Sequence, residues 1–246
     1  MADYIIFASG GNDSVALVQF AIENNWDKVV VAHSVTGWAS PEWPMRMIRF
    51  KEWVECNTFL YREIHSEGMV ELVRRKKAFP ANKPQFCTEN LKINPGKKFL
   101  DEYDMEHEAI VCVGVRRQES ERRANWPEWV ESSDKHGGRR LWSPLCFMLE
   151  DERNALIEQA GWSVLPHRSK ECSPCVNANR ETFRRLTAPD IEKVRALESE
   201  MGLTMFRPYR FLGAKGIDEV IEWAKLPPGK YEEGQTSICD AGMCGD

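Results

Sequence analysis

Residues 9–14, SGGNDS, have the composition and spacing of an anion-binding loop. Gly10 and Gly11 permit positive φ angles and let an oxyanion approach the main chain closely. Asp13 either caps the following helix or faces a magnesium ion. No lysine follows the glycines, so the loop is not of the Walker type. We interpret it as a phosphate-binding loop rather than an ordinary strand-to-helix turn. The predicted nucleotide-binding residues here are Ser9, Gly10, Gly11, Asn12, Asp13 and Ser14.

Cysteine pairs are the second set of residues suited to chemistry. Cys172 and Cys175 form a C-x-x-C pair, a spacing that holds zinc or an iron–sulfur cluster, and Cys239 and Cys244 form another pair near the C-terminus. The chain has eight cysteines and no signal-peptide character at its start, which favours metal or redox chemistry over disulfides. Three more cysteines lie in apolar segments and are predicted to be buried thiols: Cys56, Cys112 and Cys146.

Basic side chains follow a third chemical pattern. The apolar run at 109–115 contains Gly114 and leads directly into Arg116. Because ligands bind at the carboxyl ends of parallel strands, Arg116 is predicted to hold a phosphate by a two-pronged contact, with a surface salt bridge as the alternative. The runs at 74–77 and 139–140 are interpreted as solvated basic faces that could also contact phosphates. His33 is interpreted as a structural histidine rather than a catalytic base.

An α/β arrangement must position these residues. Strands are predicted at 4–8, 28–35, 59–64 and 109–115, with order resuming at 141–145, and helices are predicted at 45–53, 67–77, 150–160, 177–186, 189–201 and 217–224. A strand–helix–strand unit is right-handed and parallel, so Thr36 and Gly37 at the end of the second strand share a rim with the glycine loop. The polar segment 126–138 is predicted to be a mobile loop over the site.

Composition limits the class of protein. The chain has 246 residues, of which 42% are hydrophobic and 29% charged, as in soluble globular proteins. We predict an α/β domain at 1–165 and a helical, cysteine-bearing region at 166–246. No apolar run approaches the ~20 residues of a membrane span, so we expect a cytoplasmic protein without membrane partners. The net charge of −5 argues against extensive coating of nucleic acid.

Six segments together resemble the phosphoadenosine phosphosulfate (PAPS) reductase-like family, among the N-type ATP pyrophosphatases and nucleotide α-hydrolases. They are SGGNDS at 9–14, VTGWASPE at 35–42, FCTENLKINP at 86–95, VGVRRQESERR at 113–123, WSPLCFMLEDE at 142–152 and ECSPC at 171–175. The resemblance implies a parallel five-stranded sheet with helices on both faces. It also implies an adenine nucleotide lying across the glycine loop, with Lys92 and Arg116 facing the nucleotide or substrate.

The sequence departs from the family pattern at its cysteines. Cluster-bearing reductases of the family have paired cysteines before the Lys-x-x-Pro element, whereas Phe86 here replaces the first and leaves Cys87. The reductase motif around a C-terminal catalytic cysteine is reduced to Cys-Gly at 244–245. Cys87, Cys172 and Cys175 remain as three possible ligands. The resemblance thus still implies a metal centre, with an iron–sulfur cluster favoured over zinc. Its predicted ligands are Cys172 and Cys175, completed from among Cys87, Cys239 and Cys244.

Three functions are compatible with these patterns. The favoured one is an enzyme that binds ATP with Mg²⁺ and activates an acceptor by adenylation for sulfur transfer, the acceptor being a nucleic acid or a small molecule. The alternatives are a PAPS reductase supplied by a thioredoxin-like reductant and a nucleotide-sensing or nucleic-acid-binding module. A sulfur donor and a homodimer are further expected partners. The predicted catalytic residues are Asp13, Lys92, Arg116 and Cys244, and Asp13→Ala or Ser14→Ala is expected to abolish turnover with the fold intact.

Overall fold

A six-stranded, mostly parallel sheet forms the centre of the computed structural model, which describes residues 2–206 and 215–227. The strand order is β3-β2-β1-β4-β6-β5, and only the edge strand β5 is antiparallel to its neighbour. The strands are β1 (Tyr4–Ala8), β2 (Val29–Val35), β3 (Leu60–His65), β4 (Ile110–Val113), β5 (Trp129–Ser133) and β6 (Arg139–Trp142). The predicted α/β class is confirmed, whereas the predicted count of five strands is wrong.

The sixth strand comes from the segment that we expected to be a mobile loop. Strand β5 reads WVESS and pairs with β6 as an antiparallel hairpin. It lies at the edge of the sheet and is mostly exposed, so its sequence lacks the continuous apolar run that marks the central strands. A polar edge strand of this kind resembles a loop in composition.

Helices cover both faces of the sheet. They are α1 (Asn12–Glu23), α2 (Trp43–Cys56), α3 (Met69–Lys76), α4 (Phe86–Thr88), α5 (Asn94–Tyr103), α6 (Glu150–Gln159), α7 (Arg180–Arg184), α8 (Ala188–Met201) and α9 (Gly216–Lys225). A π-helical turn, Glu89–Ile93, joins α4 to α5. Pro95 lies in the first turn of α5, directly after the π-helical turn.

The sheet is buried on both faces because successive strand residues point to opposite sides. Ile6 belongs to a core shared with α1, α2 and α6, whereas Ile5 belongs to a core shared with α5, and neither side chain is accessible to solvent. This two-sided burial explains the nearly continuous apolar sequence of β1 and β2.

A third apolar core includes residues from the region after position 165. Phe183, Leu197 and Trp223 pack in one cluster with Leu72 of α3 and Leu91 of the π-helical turn. The C-terminal helices therefore share a core with elements from the first part of the chain, and the boundary at 165 stays a prediction. Among the described helices, none has both the length and the apolar character needed to cross a membrane.

Candidate nucleotide site and cysteine cluster

The glycine loop is held from outside by hydrogen bonds to its carbonyl groups. Trp43 Nε1 donates to the Ser9 carbonyl at 3.2 Å, and Arg46 Nε donates to the Gly10 carbonyl at 2.7 Å. In a trans peptide the carbonyl and the N–H point in opposite directions. The N–H groups of Gly10 and Gly11 are therefore turned away from α2, as an anion-binding loop requires.

Helix α1 begins at this loop without a side-chain cap. Its N-cap is Gly11, and no side chain accepts a hydrogen bond there, so the predicted capping role of Asp13 is wrong. The Ser14 hydroxyl instead accepts from the Ser9 N–H at 2.9 Å, which closes the loop and leaves the hydroxyl proton able to donate. The uncapped first turn directs backbone N–H groups and the positive end of the helix dipole towards the loop.

Asp13 forms a buried charge cluster with two arginines. Its Oδ1 accepts from Arg116 Nε at 2.8 Å and lies 3.4 Å from Nη1 of Arg153, and both arginines are buried. The Nε of Arg153 is buried and has no hydrogen-bond partner among the residues that the structure describes. The salt bridge considered as the alternative for Arg116 is thus present, although inside the protein. The sequence does not single out Arg153, because a lone arginine in a polar helix carries no distinguishing pattern.

Two predicted nucleotide-binding positions have packing roles. The Asn12 side chain both donates to and accepts from the backbone of Leu165, each at 2.9 Å, so its amide holds the segment before the C-x-x-C pair. A Cβ on Gly114 would lie 2.9 Å from the backbone oxygen of Asp13, which explains the glycine by close packing of β4 against α1. Neither position needs a ligand to explain its residue type.

Thr36 and Gly37 connect the end of β2 to the segment of the C-x-x-C pair. Thr36 is fully buried, and its hydroxyl donates to the backbone oxygen of Glu171 at 2.7 Å. Gly37 has a φ of +64°, and a Cβ there would lie 3.2 Å from Gly68 Cα. A short parallel bridge between Trp38 and Cys172 follows. Thr36 and Gly37 therefore position Cys172 beside the rim, and the Thr36 hydroxyl is engaged by Glu171.

His33 is buried beneath the rim, as expected of a structural histidine. Its Nδ1 lies 3.1 Å from the Ala8 carbonyl, and its Nε2 lies 3.1 Å from Oε2 of Glu171. The other carboxylate oxygen of Glu171 accepts from the backbone N–H of Thr36 at 2.9 Å. Both oxygens of this buried carboxylate are thus engaged by the protein.

A cavity of about 230 Å³ opens at the carboxyl ends of β1 and β2, between the sheet and α5. Phe7, Ala8 and Ala32 form an apolar floor, and Ser9 contributes from the glycine loop. The polar walls are formed by Ser34, Lys92, Lys135, His136 and Glu171. Lys92 is accessible because it faces this opening. Of the predicted residues, the structure brings Ser9 and Lys92 together here, whereas Asp13 and Arg116 meet on the α6 side of the loop.

Three cysteines surround a second, smaller cavity of about 20 Å³, which Lys92 also lines. They are Cys87, Cys172 and Cys175. Burial, with a smaller effect of Cys172 and Cys175, raises the pKa of Cys87 to about 11. Burial likewise raises the pKa of Cys172, whereas the charge of the neighbouring Cys172 sulfur raises the pKa of Lys92. The three sulfur atoms therefore lie beside a lysine that is positively charged at neutral pH.

The predicted metal centre is not formed by the described residues alone. Within 2–206 and 215–227, no group of three or more His, Cys, Asp or Glu side chains is arranged to hold a metal ion. A space of about 20 Å³ has room for about one water molecule, so a cubane cluster would require the three cysteines to move apart. Cys239 and Cys244 lie outside the described residues. Cys56 is exposed rather than buried as predicted, whereas Cys112 and Cys146 are buried.

The basic runs do not form a continuous phosphate-binding face. Arg74 pairs with Glu71 and Glu200, and Arg75 pairs with Glu67. Arg139 is fully buried, so it cannot contact an external nucleic acid. Three members of the two basic runs are thus paired or buried, whereas Lys76 and Lys77 are exposed, and the nucleic-acid-binding module stays a prediction.

The parallel sheet with a glycine loop between β1 and α1 defines an α/β domain of the nucleotide-binding type. The family model of the phosphoadenosine phosphosulfate reductase domain matches residues 3–173, and the chain belongs to that family.

Individual relatives are more distant. An uncharacterized 37.8 kDa protein of Escherichia phage 186, encoded in the gpa 5′ region, is 30% identical over 129 residues, which cover 48% of this chain and 38% of that protein. This chain thus spans well under half of that relative's length. The PAPS reductase from Candida auris, solved as a phosphate complex, matches with a TM-score of 0.46 and 13% identity over 67% of this chain and 75% of that one. The U34-tRNA thiolase NcsA from Methanococcus maripaludis, solved with its 4Fe-4S cluster, matches with a TM-score of 0.45 and 12% identity. That match covers 99% of this chain and 81% of the thiolase chain.

Proposed function

We propose that this protein is an ATP pyrophosphatase-type enzyme that adenylates an acceptor substrate for sulfur transfer. The observation that carries the proposal is the position of Lys92, which lines both the cavity beside the glycine loop and the cavity of the three thiols. One positive charge thus lies between a phosphate-binding loop and a group of sulfur atoms. An enzyme that couples nucleotide activation to sulfur chemistry needs this proximity.

The phosphates of ATP would lie across residues 9–14. The N–H groups of Gly10 and Gly11, the uncapped end of α1 and the Ser14 hydroxyl supply donors for them. Arg116 would join them by exchanging part of its contact with Asp13 for a phosphate oxygen. Mg²⁺, when it accompanies ATP, supplies further charge neutralisation at the β- and γ-phosphates. Because Asp13 faces two arginines, we assign no protein ligand to that ion.

Two displacements make up the proposed reaction. An acceptor oxygen attacks the α-phosphorus, a new O–P bond forms, the bond to the bridging oxygen breaks and pyrophosphate leaves. The terminal sulfur of a persulfide donor then attacks the adenylated carbon or phosphorus, and AMP leaves. A second thiol attacks the donor sulfur of the resulting S–S bond, which releases the thiolated product and leaves a disulfide between that thiol and the donor. Positioning and electrostatic stabilisation supply most of the rate in such transfers, and Lys92 is placed to balance the developing negative charge. Cys87, Cys172 and Cys175, either as thiols or as ligands of a cluster, are the candidate residues for handling the sulfur.

PAPS reduction is the second candidate, and membership of the PAPS reductase domain family favours it. In that reaction a thiolate attacks the sulfonate sulfur, the sulfur–oxygen bond breaks and adenosine 3′,5′-bisphosphate leaves. A thioredoxin-like dithiol then releases sulfite and becomes oxidised. Cys244, the predicted nucleophile, lies outside the described residues.

One paired assay separates these reactions. The protein is incubated with ATP, Mg²⁺ and either the RNA or the small-molecule fraction of a cell extract, and in parallel with PAPS and reduced thioredoxin. We expect pyrophosphate from ATP in the presence of an acceptor fraction, its loss in Ser14→Ala, and its retention in Ser132→Ala, an exposed serine on β5. Sulfite from PAPS without pyrophosphate from ATP would establish the alternative. Nucleotide binding with neither product would indicate a sensing module.

A further inference from the structure

Lys135 and His136 form one wall of the 230 Å³ cavity, although no sequence motif pointed to them. They belong to a short helical turn, Asp134–His136, at the tip of the β5–β6 hairpin. The hairpin therefore brings a lysine and a histidine to the cavity that Lys92 also lines.

The hairpin tip is held firmly over the cavity. Arg139, directly after the turn, is buried and donates from Nε to Asp104 Oδ2 at 2.7 Å and from Nη2 to the carbonyl of Leu100 at 2.9 Å. Its Nη1 also reaches the His136 carbonyl at 3.4 Å. The His136 ring is fixed by Ser133 Oγ, which lies 2.8 Å from Nδ1. These contacts make the turn part of a preformed wall.

The charges around the cavity are unbalanced. Lys92 and Lys135 contribute two positive charges, and Glu171 contributes the carboxylate. Both oxygens of Glu171 are already engaged by His33 and Thr36. Within the described parts of the chain, neither lysine of the cavity forms an ion pair with a carboxylate. Both lysines are exposed and line the cavity, so an oxyanion that enters it can pair with them.

The position of the cavity indicates which kind of substrate would carry an oxyanion into it. It lies beside Ser9 of the glycine loop, and through Lys92 it adjoins the thiol cavity. Its 230 Å³ is below the ~300–1,000 Å³ of typical ligand pockets, and thus small for a whole nucleotide. A molecule that is activated by a nucleotide on the loop and then receives sulfur from the thiols must lie between the two.

We propose that this cavity is the acceptor subsite and that Lys135 and His136 select an acceptor bearing an oxyanion, such as a carboxylate or phosphate group. The assignment rests on the proposed function. Lys135 pairs with the anion by charge, and His136 donates a hydrogen bond from its second ring nitrogen. Burial, with Lys135 and Lys97 nearby, lowers the pKa of His136 to about 4, so the ring is neutral at pH 7 and keeps a proton to donate.

Calorimetric titration of inorganic phosphate into protein saturated with a non-hydrolysable ATP analogue tests the assignment. We expect phosphate to bind the saturated wild type, and Lys135→Met to weaken this binding about tenfold or more, as loss of a charge-assisted hydrogen bond predicts. His136→Phe should weaken it less. Lys98→Met is the matched control, because Lys98 is an exposed residue of α5 with the same charge and does not line the cavity.

The remaining outcomes separate this assignment from the proposed function. Affinity for the ATP analogue should be the same in Lys135→Met as in the wild type. If that affinity also falls about tenfold, the cavity holds a nucleotide phosphate and the acceptor assignment is overturned. Equal phosphate affinity in Lys135→Met and the wild type overturns it as well. A wild type that does not bind the ATP analogue contradicts the proposed function instead. Thermal unfolding of each variant confirms that the fold is retained.

Discussion

Arg116 donates from Nε to Oδ1 of Asp13 across 2.8 Å, which joins the end of β4 to the first turn of α1. Arg153 of α6 approaches the same oxygen at 3.4 Å. Two buried guanidinium groups therefore share one carboxylate beside the positive end of a helix. Arg153 also pairs with the exposed Glu150 at 3.1 Å, whereas the ion pair of Arg116 is with Asp13. The two guanidinium groups and the positive end of the helix make this side of the loop attractive to anions.

Substitution of Asp13 should therefore destabilise the fold, in contrast to the expectation from sequence. Asp13→Ala removes the carboxylate that pairs with the buried Arg116 and leaves Arg153 with Glu150, and we expect the free energy of unfolding to fall by about 3 kcal/mol. Urea denaturation measures this loss. Asp3→Ala removes a half-exposed aspartate whose ion pair with Lys28 is at the surface, and it should change stability by less than about 1 kcal/mol. Equal stability of Asp13→Ala and the wild type would contradict the structural role of the cluster.

The shape of the glycine loop should depend on Gly10 for two separate reasons. Its φ is +68°, and a Cβ at this position would clash with Met47 Sδ. Gly161 has a similar φ of +71°, but a Cβ there would meet nothing within 4 Å, so this glycine isolates the backbone effect. We expect Gly161→Ala to cost on the order of 1 kcal/mol and Gly10→Ala about 3 kcal/mol, with loss of ATP binding only in Gly10→Ala. A similar loss of stability in both variants would show that the Met47 contact does not add to the backbone effect.

His136 should make stability depend on pH. Its pKa is lowered from 6.5 to about 4 by burial, with the charges of Lys135 and Lys97 adding to the effect. Because the unfolded chain binds the proton more readily, the contribution of His136 to stability is complete above pH 6.5 and is lost as the pH falls towards 4. The stability lost over this pH range is up to about 3 kcal/mol. The free energy of unfolding, measured between pH 4 and 7, should depend less steeply on pH in His136→Asn than in the wild type. His107→Asn is the control, because His107 is exposed and its substitution should leave this slope unchanged.

The metal centre is tested by metal analysis of anaerobically purified protein. We expect stoichiometric iron or zinc in the full-length chain, with visible absorbance if the metal is an iron–sulfur cluster. Cys172→Ser should lose the metal, whereas Cys56→Ser should keep it because Cys56 is exposed and lies outside the group of three cysteines. The absence of both metals from the wild type would leave Cys87, Cys172 and Cys175 as thiols.

The central elements could be predicted because their apolar runs are local. Strand β1 coincides with the predicted 4–8, and β2 differs by one residue. Strand β5 could not be recognised, because a polar edge strand is stabilised by its pairing with β6 rather than by its own apolar sequence. The burial of the Arg139 side chain could not be predicted either. In sequence Arg139 is half of a basic pair, and only the fold places it in a buried pocket beside Asp104.

The candidate site was predictable in position but only partly in detail. The SGGNDS pattern located the loop, whereas the roles of Asn12 and Thr36 depend on Leu165 and Glu171, which are 153 and 135 residues away in sequence. Lys135 and His136 reach the cavity only because the hairpin folds back over the sheet. Such long-range contacts leave no periodic or local signal in a single sequence.

The crystal structure of the protein with a non-hydrolysable ATP analogue tests the central claim most directly. We predict that the β- and γ-phosphates contact the backbone N–H groups of Gly10 and Gly11 and the first turn of α1. Arg116 should move towards a phosphate oxygen, and the space between Lys92 and Lys135 should remain open for an acceptor. Phosphates bound away from the glycine loop, with Arg116 still on Asp13, would contradict the account.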